Sequence, residues 1–445
     1  MATPRVSLRR VATISCAAET VIGHGSARGK WYTTPFAALE CLCRNGSAFG
    51  RPSRTRDIHG EAGIVRSSAC TDSGTVRTFG VEEELLLVDA RGVASPVAPL
   101  VLADAPPVVD GPSVSAEFNQ EMIETQTRPQ LTTRDLLLDI VGGRELADSL
   151  AQLHGARAIA VGMSPTRLRP HVTDDPRYAK MIERYGLTAR GTLVCGYHVH
   201  VGIDSRDEGV GVIDRIRTWL PTLLALSANS PYFGGADTGH ASYRFAAWHQ
   251  WQSAGPTDVF GSVEAYDRFE RLLVDTGVIL DTGMLYLDAR VSHKQPTVEI
   301  RVADVCLDAR DAAVIAALVR ALVDTAADEW RAGVEPAPVP SAALRLAEWQ
   351  AALTGVAGSL PHPVTWREVS AVEAVDALLA HTWAALEANG DLALVRKGLA
   401  RIHTTGGGAG RQRAAFGKRG RIRDVVALAV AATHEQSEDD DQVVA

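Results

Sequence analysis

Apolar residues recur along the chain with two periods, and each period predicts one kind of element. Short segments in which apolar side chains alternate or dominate predict strands at 79–88, at two places within 113–126, and at 156–163, about 193–203 and 296–303. Apolar residues spaced three and four apart predict helices at about 133–154, 177–185, 209–228, 262–276 and 309–331. Because strands come early and helices are interspersed, the fold class is predicted to be α+β with a mainly antiparallel sheet.

The two ends of the chain lack this periodicity. Residues 1–74 are rich in Arg, Ser, Thr and Gly, and we interpret them as a disordered N-terminal extension or as sequence upstream of the true start. Residues 75–433 are predicted to form a single domain, and 434–445 an acidic disordered tail. Ser7–Thr13 faintly suggests a twin-arginine signal, but Glu19 interrupts the apolar stretch and no clear cleavage site follows.

Charge and cysteine content narrow the class of protein. The net charge of the chain is −8. Residues 1–75 contain ten Lys and Arg but only five Asp and Glu, so this segment is basic and the rest of the chain is acidic. This balance argues against nucleic acid as a partner. No apolar run reaches the roughly 18 residues that a membrane span needs, so no membrane association is expected. Four of the six cysteines precede residue 75, and the isolated Cys195 and Cys306 favour a reducing, cytoplasmic location.

Acidic side chains and histidines occupy positions in predicted strands where apolar residues are expected. Glu82 and Glu84 project to one side of their strand, and His198 and His200 do the same in theirs. An exposed acidic edge and buried, hydrogen-bonded histidines are the simpler interpretations of each motif alone. Crowded carboxylates, however, raise one another's pKa unless a cation neutralises them, and oxygen ligands with an occasional imidazole suit Mg²⁺ or Mn²⁺.

Two further segments carry candidate ligands. Glu117, Glu121 and Glu124 share a helical face, whereas strand spacing separates Glu124 from the other two unless a bulge intervenes, and the spacing leaves both alternatives open. Glu299 and Arg301 share one face of their strand. They could form a plain ion pair, or Glu299 could bind metal while Arg301 contacts phosphate.

Two connections invite a functional interpretation. The aromatic, Gly-rich segment 234–256 is longer than most loops of compact domains, and such loops are more often functional than idle. Gly406–Gly410, followed by Arg411 and Arg413, resembles a phosphate-binding loop but lacks the Lys-Ser/Thr of a P-loop. A flexible linker is the alternative there.

Residues 77–425, taken in order, resemble the carboxylate-amine ligase family of glutamate–cysteine ligase type 2. The matching pieces are Gly-Val-Glu-Glu-Glu at 80–84, Glu-Phe-x-x-Glu-x-x-Glu-Thr from 117, Arg177-Tyr178, Cys-Gly-x-His-Val-His-Val-Gly at 195–202, Ser-Tyr-Arg at 242–244, Trp-His-Gln-Trp at 248–251, Ala-Gly-Pro at 254–256, Val-Glu-Ile-Arg at 298–301 and Gly-Ala-Gly-Arg-Gln at 408–412. Gln252 replaces the family's usual proline and Gly410 its aspartate.

The resemblance implies a catalytic domain like those of glutamine synthetase and guanidino kinases, with a curved antiparallel sheet, flanking helices, ATP and Mg²⁺, or Mn²⁺ in its place. Carried onto this chain, it implies metal ligands at Glu82, Glu84, Glu117, Glu124, Glu299 and His198. A bend must then separate Glu117 from Glu124. We assign transition-state stabilisation to Arg301 and Arg411, and substrate binding to Arg244, His200 and Tyr243.

The implied reaction is ATP-driven amide formation through an acyl phosphate, with glutamate and cysteine as the reference substrates. Two other functions stay open. A metal-dependent amidohydrolase would use His198 and His200 with zinc and no ATP, and a nucleotide-binding regulator would bind ATP without turnover. Small molecules are the expected partners. A homodimer is compatible with the resemblance, although the sequence does not specify the oligomeric state.

Overall fold

The structure is a computed structural model that describes residues 76–107 and 111–435. The predicted extension at 1–74, with Cys16, Cys41, Cys43 and Cys70, and nearly all of the predicted acidic tail lie outside the described residues. None of the helices within the described ranges combines the length and apolar character needed to cross a bilayer.

Seven strands form one antiparallel sheet, in the order β2-β3-β1-β5-β9-β8, with β4 also paired to β1. The strands of the described chain are β1 (Phe79–Asp89), β2 (Ser113–Ala116), β3 (Met122–Gln126), β4 (Ala156–Ile159), β5 (Gly196–Gly202), β6 (Tyr232–Phe233), β7 (Ala236–Asp237), β8 (Ala289–Val291), β9 (Thr297–Asp304), β10 (Ser359–Pro361) and β11 (Glu368–Ser370). The long β1 holds the sheet together, because its first half pairs with β5 and its second half with β4. The predicted α+β class is confirmed.

Helices supply the second layer and the C-terminal part. They are α1 (Ala98–Ala103), α2 (Thr133–Leu153), α3 (Pro176–Tyr185), α4 (Leu187–Gly191), α5 (Arg206–Ile216), α6 (Leu220–Ser227), α7 (Tyr243–Trp248), α8 (Val263–Asp275), α9 (Ala309–Arg331), α10 (Ser341–Thr354), α11 (Ala371–Ala388), α12 (Leu392–Thr405), α13 (Gly407–Arg419) and α14 (Ile422–Thr433). Several start at a side chain that accepts a backbone N–H, as Asp308 does for α9, whose bounds match the predicted ones.

The main core lies between one face of the sheet and helices α5, α6 and α9. Val81, Val199 and Ile300 point into it from three neighbouring strands and are almost fully buried. Since side chains alternate along a strand, the residues between these valines and isoleucines project to the opposite face. That face carries the acidic residues and histidines of the strand motifs.

Glu83 is the member of the Glu-Glu-Glu motif that points into the protein. Its carboxylate accepts hydrogen bonds from Arg144 of α2 at 2.7 and 2.8 Å, and both side chains are only 1% exposed. Arg144 also donates to the backbone carbonyls of Cys306 and Leu307. The motif therefore divides between an internal ion pair and two carboxylates on the other face.

The structure corrects the expectations for Gly406–Gly410 and refines others. The glycines form neither a phosphate-binding loop nor a linker: Gly406 ends α12 with a left-handed φ of 74°, and α13 begins at Gly407. The predicted helix 209–228 divides into α5, a 3₁₀ turn at Arg217–Trp219 and α6, whose first turn contains Pro221. The strand predicted at 156–163 ends at Ile159, and the loop 234–256 contains α7.

Candidate active site

Glu82 and Glu84 of β1 lie beside the two histidines of β5. The register pairs Glu82 with His198, so the Glu82 carboxylate lies 3.1 Å from His198 Nδ1 and 3.5 Å from His200 Nε2. Burial opposes the charge of Glu82, but the hydrogen bonds and charges of both histidines outweigh it and hold its pKa well below the usual range. Glu84 accepts a hydrogen bond from the backbone N–H of Gly196. The predicted common face of Glu82 and Glu84, and of the two histidines, is confirmed.

Glu117 and Glu124 converge on Glu84 from the β2–β3 hairpin. β2 ends at Ala116 and β3 begins at Met122, so the bend that their convergence required lies between them. Burial raises the pKa of Glu117 well above normal, and the charges of Glu124 and Glu84 raise it further. Burial and the charge of Glu82 likewise raise the pKa of Glu124. Crowding and burial therefore disfavour the ionised forms of Glu117 and Glu124.

Glu299 of β9 lies opposite His200 and between two arginines. Arg290 of β8 donates to it at 2.7 and 3.2 Å, and Arg301 donates from two residues along the same strand. Burial alone would raise its pKa, but the charges of Arg301 and Arg290 hold the pKa well below normal. The structure shows the Glu299–Arg301 ion pair, and metal binding by Glu299 stays a prediction. Glu121, the remaining acidic residue of its segment, binds His171 instead.

The carboxylates and histidines form three overlapping sets of potential metal ligands. Within each set, one donor atom per residue lies within 4.8 Å of the others; the sets are Glu82–His200–Glu299, Glu82–Glu124–His198 and Glu84–Glu117–Glu124. His200 Nε2 is buried without a hydrogen bond, although Glu82 lies nearby. The donor types, and the raised pKa values of Glu117 and Glu124, fit a group of divalent cations that prefer oxygen. Every residue that we expected to bind metal belongs to one of these sets.

Arg244 of α7 reaches the same region from the side. A Cβ on Gly196 would lie 2.4 Å from Arg244 Nη2 and 3.2 Å from His198 Nε2, so a glycine there gives the guanidinium room beside the histidine. Arg244 is only 3% exposed, and its long hydrogen bonds go to the carbonyls of Val302 and Arg301. Its Nε has no hydrogen-bond partner. A guanidinium with spare donors next to the carboxylates can bind an anionic group.

Two predicted site residues are not brought into contact with this cluster. Tyr243 precedes Arg244 but packs against Phe233, with ring centroids 5.6 Å apart. Arg411 of α13 contacts Asp308 at 3.3 Å and Glu435 at 3.6 Å. Their assigned roles stay predictions. The pKa of Asp308, the partner of Arg411, is lowered to about 2, because the hydrogen bond and charge of Arg310 outweigh the opposing effect of burial.

An aromatic cap lies next to Glu117, and four of its six residues stand in the quoted sequence motifs, although those motifs did not predict that the rings meet. We define the cap as Phe118, Tyr178, Tyr185, Trp248, Trp251 and Tyr286, which pack together with ring centroids 4.6–6.4 Å apart. Burial and the charge of Glu117 raise the pKa of Tyr178 to about 12. Arg177 and Asp281 tie α3 to the 3₁₀ turn before β8 through hydrogen bonds of 2.8 and 2.9 Å.

A cleft of about 1040 Å³ opens at the other end of the cluster. Glu82 and His200 line it, together with Arg77, Thr127, Arg331 and neighbouring residues. Its size is at the upper end of the range for small-molecule sites. The carboxylate cluster thus lies between an open cleft and the aromatic cap.

Comparisons with known proteins find matches over most of the chain. The model of the family described as glutamate-cysteine ligase family 2 matches residues 78–428. A protein of Paenarthrobacter aurescens strain TC1, named provisionally as a glutamate–cysteine ligase 2-1, is 48% identical over 379 residues, which are 82% of this chain and 97% of that protein.

Two solved structures share the fold. A glutamate–cysteine ligase from Francisella tularensis, solved in complex with AMP, has a TM-score of 0.59 and 12% identity, with 82% of this chain and 90% of that chain covered. A bifunctional glutathione synthetase from Pasteurella multocida has a TM-score of 0.59 and 16% identity over 82% of this chain. The match spans about half of that longer chain, 52%.

Proposed function

Because the chain belongs to glutamate–cysteine ligase family 2, and is therefore an ATP-dependent carbon–nitrogen ligase, we propose that it joins the γ-carboxylate of glutamate to an amine, with cysteine as the reference amine. The observation that carries the proposal is the convergence of five glutamates and two histidines in three overlapping ligand sets on one face of the sheet. Such a cluster is what the transfer of a phosphoryl group from ATP requires.

The residues that would hold the divalent ions are those of the three sets, with Mg²⁺ as the proposed ion and Mn²⁺ as the alternative. When bound, the ions would neutralise the phosphate oxygens of ATP and the charge that develops during transfer. The protein itself fixes the ligands. Gly196 N–H holds Glu84, Arg290 holds Glu299, and Ser115 holds Glu124 at 3.1 Å.

We propose that ATP occupies the cleft lined by Glu82 and His200, with its phosphates toward the carboxylates. Arg301 would then lie near the transferred phosphoryl group, because it pairs with Glu299 and is close enough to Glu84 and Glu82 for their charges to raise its pKa. Its Nε is buried and has no hydrogen-bond partner. A buried, charged donor of this kind can stabilise the equatorial oxygens of the phosphoryl group. Arg411 is a second proposed contact for phosphate, from α13.

We place the carboxylate substrate between Arg244 and the cap. Arg244 would bind its α-carboxylate, with His200 and Tyr243 as further proposed contacts. The γ-carboxylate oxygen attacks the γ-phosphorus of ATP, and the bond from that phosphorus to the bridging oxygen breaks to release ADP. The amine nitrogen then attacks the acyl carbon of the resulting acyl phosphate, phosphate leaves, and the nitrogen loses a proton.

The aromatic cap suits the second half of this reaction. An acyl phosphate hydrolyses if water reaches it before the amine does. Phe118 and Tyr178 lie beside Glu117, and Trp248 packs on Tyr286, so apolar surface adjoins the carboxylates on the substrate side. We propose that the cap excludes water while the amine binds.

A trapping experiment tests the proposal. The purified protein is incubated with ATP, glutamate and Mg²⁺, and hydroxylamine serves as an amine that captures acyl phosphates as hydroxamates. We expect ADP and glutamyl hydroxamate in equal amounts, both abolished by EDTA, and cysteine or another amine from a panel should replace hydroxylamine. Hydrolysis of amides with zinc and without ATP would identify an amidohydrolase instead. ATP binding without ADP release under all conditions would identify a regulator.

A further inference from the structure

A second group of buried ligand atoms lies outside the carboxylate cluster. His249 follows α7, Asp288 precedes β8 and Glu348 lies on α10, and one donor atom from each lies within 4.8 Å of the others. Asp288 is 4% exposed and Glu348 is fully buried. None of these residues belongs to the three sets assigned to the ATP reaction.

These buried groups lack the partners that buried polar atoms normally have. His249 Nε2, Asp288 Oδ2 and both carboxylate oxygens of Glu348 are buried, and with both carboxyl groups ionised none of these atoms has a hydrogen-bond donor. A proton shared between Asp288 and Glu348, which lie within hydrogen-bond distance of each other, is the alternative that would satisfy the pair. A buried carboxylate left without a partner is destabilising. Among the ion pairs of the described residues, none involves Asp288 or Glu348. Burial, together with the charge of Asp288, raises the pKa of Glu348 well above normal.

The orientation of His249 points to a ligand rather than to a hydrogen bond. Its Nδ1 lies 2.8 Å from the backbone carbonyl of Phe245, and a carbonyl can only accept, so Nδ1 carries the proton. In the neutral ring Nε2 then presents its lone pair toward Asp288 and Glu348, whose ionised carboxylates are the form that a cation would bind. A metal-binding histidine is typically held in this way by a backbone carbonyl at its other nitrogen.

We propose that His249, Asp288 and Glu348 form a binding site for one divalent transition-metal ion, with Zn²⁺ as the best match for one imidazole and two carboxylates. The donor set differs from the oxygen-rich sets of the ATP site, and a nitrogen ligand favours Zn²⁺ over Mg²⁺. The ion would compensate both buried carboxylates. It would also join α7 and α10 to the segment before β8.

The position of this site suggests a structural role next to the substrate. α7 carries Arg244 at one end and leads to His249 at the other. The backbone carbonyl of Asp288 accepts a hydrogen bond from the N–H of Arg301, and the Asp288 N–H donates to the carbonyl of Gly255. A Cβ at Gly255 would lie 3.4 Å from His249 Nε2. A bound ion would thus fix the loop between α7 and Gly255, on which Trp251 of the aromatic cap lies.

Metal content in excess Mg²⁺ tests the proposal without reference to activity. The full-length protein is stripped with EDTA, excess Mg²⁺ is added to fill the oxygen-rich sets, and Zn²⁺ binding is measured by calorimetry and elemental analysis. Co²⁺ is the spectroscopic probe. We expect one Zn²⁺ per chain, and Glu348→Gln should weaken its binding by at least about 100-fold. The control Glu387→Gln removes an exposed glutamate of α11 and should bind Zn²⁺ as the wild type does.

Two results would overturn the site. One is equal Zn²⁺ binding by the wild type and Glu348→Gln. The other is no Zn²⁺ binding by the wild type; a more stable Glu348→Gln would then show that the two carboxyl groups share a proton. His249→Gln, at a half-buried position, serves as the second variant if Glu348→Gln does not fold, and loss of the Co²⁺ absorption bands is its readout. Failure of this site leaves the proposed ligase reaction untouched.

Discussion

Glu82 and Glu83 are neighbours in one strand, yet they lie in opposite environments. Glu82 is about one-quarter exposed beside two histidines and the cleft, whereas Glu83 is sealed in the core against Arg144. The same chemical group therefore serves ligand binding at one position and folding at the next. Substitutions at the two positions should separate activity from stability.

We expect Glu82→Gln to abolish turnover while leaving the fold intact. The amide has the same shape but removes the charge shared by two of the three ligand sets. Loss of one preorganised charged group at a reacting centre typically lowers kcat by about 100- to 1000-fold. ADP release measures the effect, and chemical denaturation checks the fold. The exposed Glu335→Gln is the control and should keep full activity. Full turnover by Glu82→Gln would refute the metal assignments.

Arg144→Met should have the reverse effect. It leaves the Glu83 carboxylate buried without its cation, and breaking a buried ion pair by removing one partner costs about 3–5 kcal/mol. We expect the free energy of unfolding to fall by that amount in urea denaturation. The double variant Arg144→Met with Glu83→Leu removes both charges and should regain part of the lost stability. An unchanged unfolding midpoint for the single variant would contradict the role of the pair.

The alternation of side chains made most of these residues predictable. The common face of Glu82 and Glu84, of the two histidines, and of Glu299 and Arg301 follows from strand periodicity alone. Arg290 did not stand out, because β8 has only three residues and offers too little alternation to recognise. The convergence of Glu117 and Glu124 depended on a hairpin bend that their spacing leaves undetermined.

Helix α13 shows how an element's context decides what a glycine-rich sequence forms. Gly408 faces Asn229, whose side chain donates to the carbonyls of Ala160 and Val305 and accepts from Gln412. A Cβ at 408 would lie 2.2 Å from Asn229 Oδ1. The glycine is therefore needed for close packing of the helix, a reason that no local sequence signal reveals.

Gly408→Ala and Gly417→Ala form a matched pair in this one helix. The first should lower the free energy of unfolding by about 1–3 kcal/mol, because a methyl group is forced into a packed interface. The second adds a methyl group where nothing lies within 4 Å and should raise stability by about 0.5–1 kcal/mol, since alanine favours helix over glycine. Thermal unfolding of both variants measures the difference. Equal effects of the same sign would show that packing against Asn229 does not restrict position 408.

Long elements were predicted well and short ones poorly, for a physical reason. Helix α9 spans 23 residues, enough turns for its apolar face to repeat many times, and its bounds match the prediction. α7 and β8 are too short to show a period, and their positions are set by tertiary contacts such as that of Ser242 with Asp304 at 2.8 Å. The rings of the aromatic cap come from such short segments and from the loops beside them, so their packing together was not anticipated, although four of the six residues lie in the quoted motifs.

Taken as a whole, the protein brings distant segments together through one strand. β1 pairs with β3, β4 and β5, which start 33 or more residues further along the chain, and each of the three ligand sets proposed for the ATP reaction contains a residue of β1. Because the ligands lie on strands that are distant in sequence, the site forms only when these strands have paired with β1 and with one another. The start of β1 is therefore the position where the N-terminal boundary of the functional unit should be sharp.

That boundary gives the last prediction. Removing residues 1–74 should leave turnover and unfolding temperature nearly unchanged, because the family match starts at residue 78 and the first described contacts come from Arg77. The net charge falls from −8 to −13, which affects solubility rather than fold. Arg77 donates to Glu208 at 2.7 Å and to Asp324 at 3.0 Å, joining the strand's entry to α5 and α9. Arg77→Ala in the truncated chain should thus lower the free energy of unfolding by about 1.5–3 kcal/mol. Loss of activity on truncation alone, with Arg77 intact, would show that residues 1–74 contribute to the enzyme.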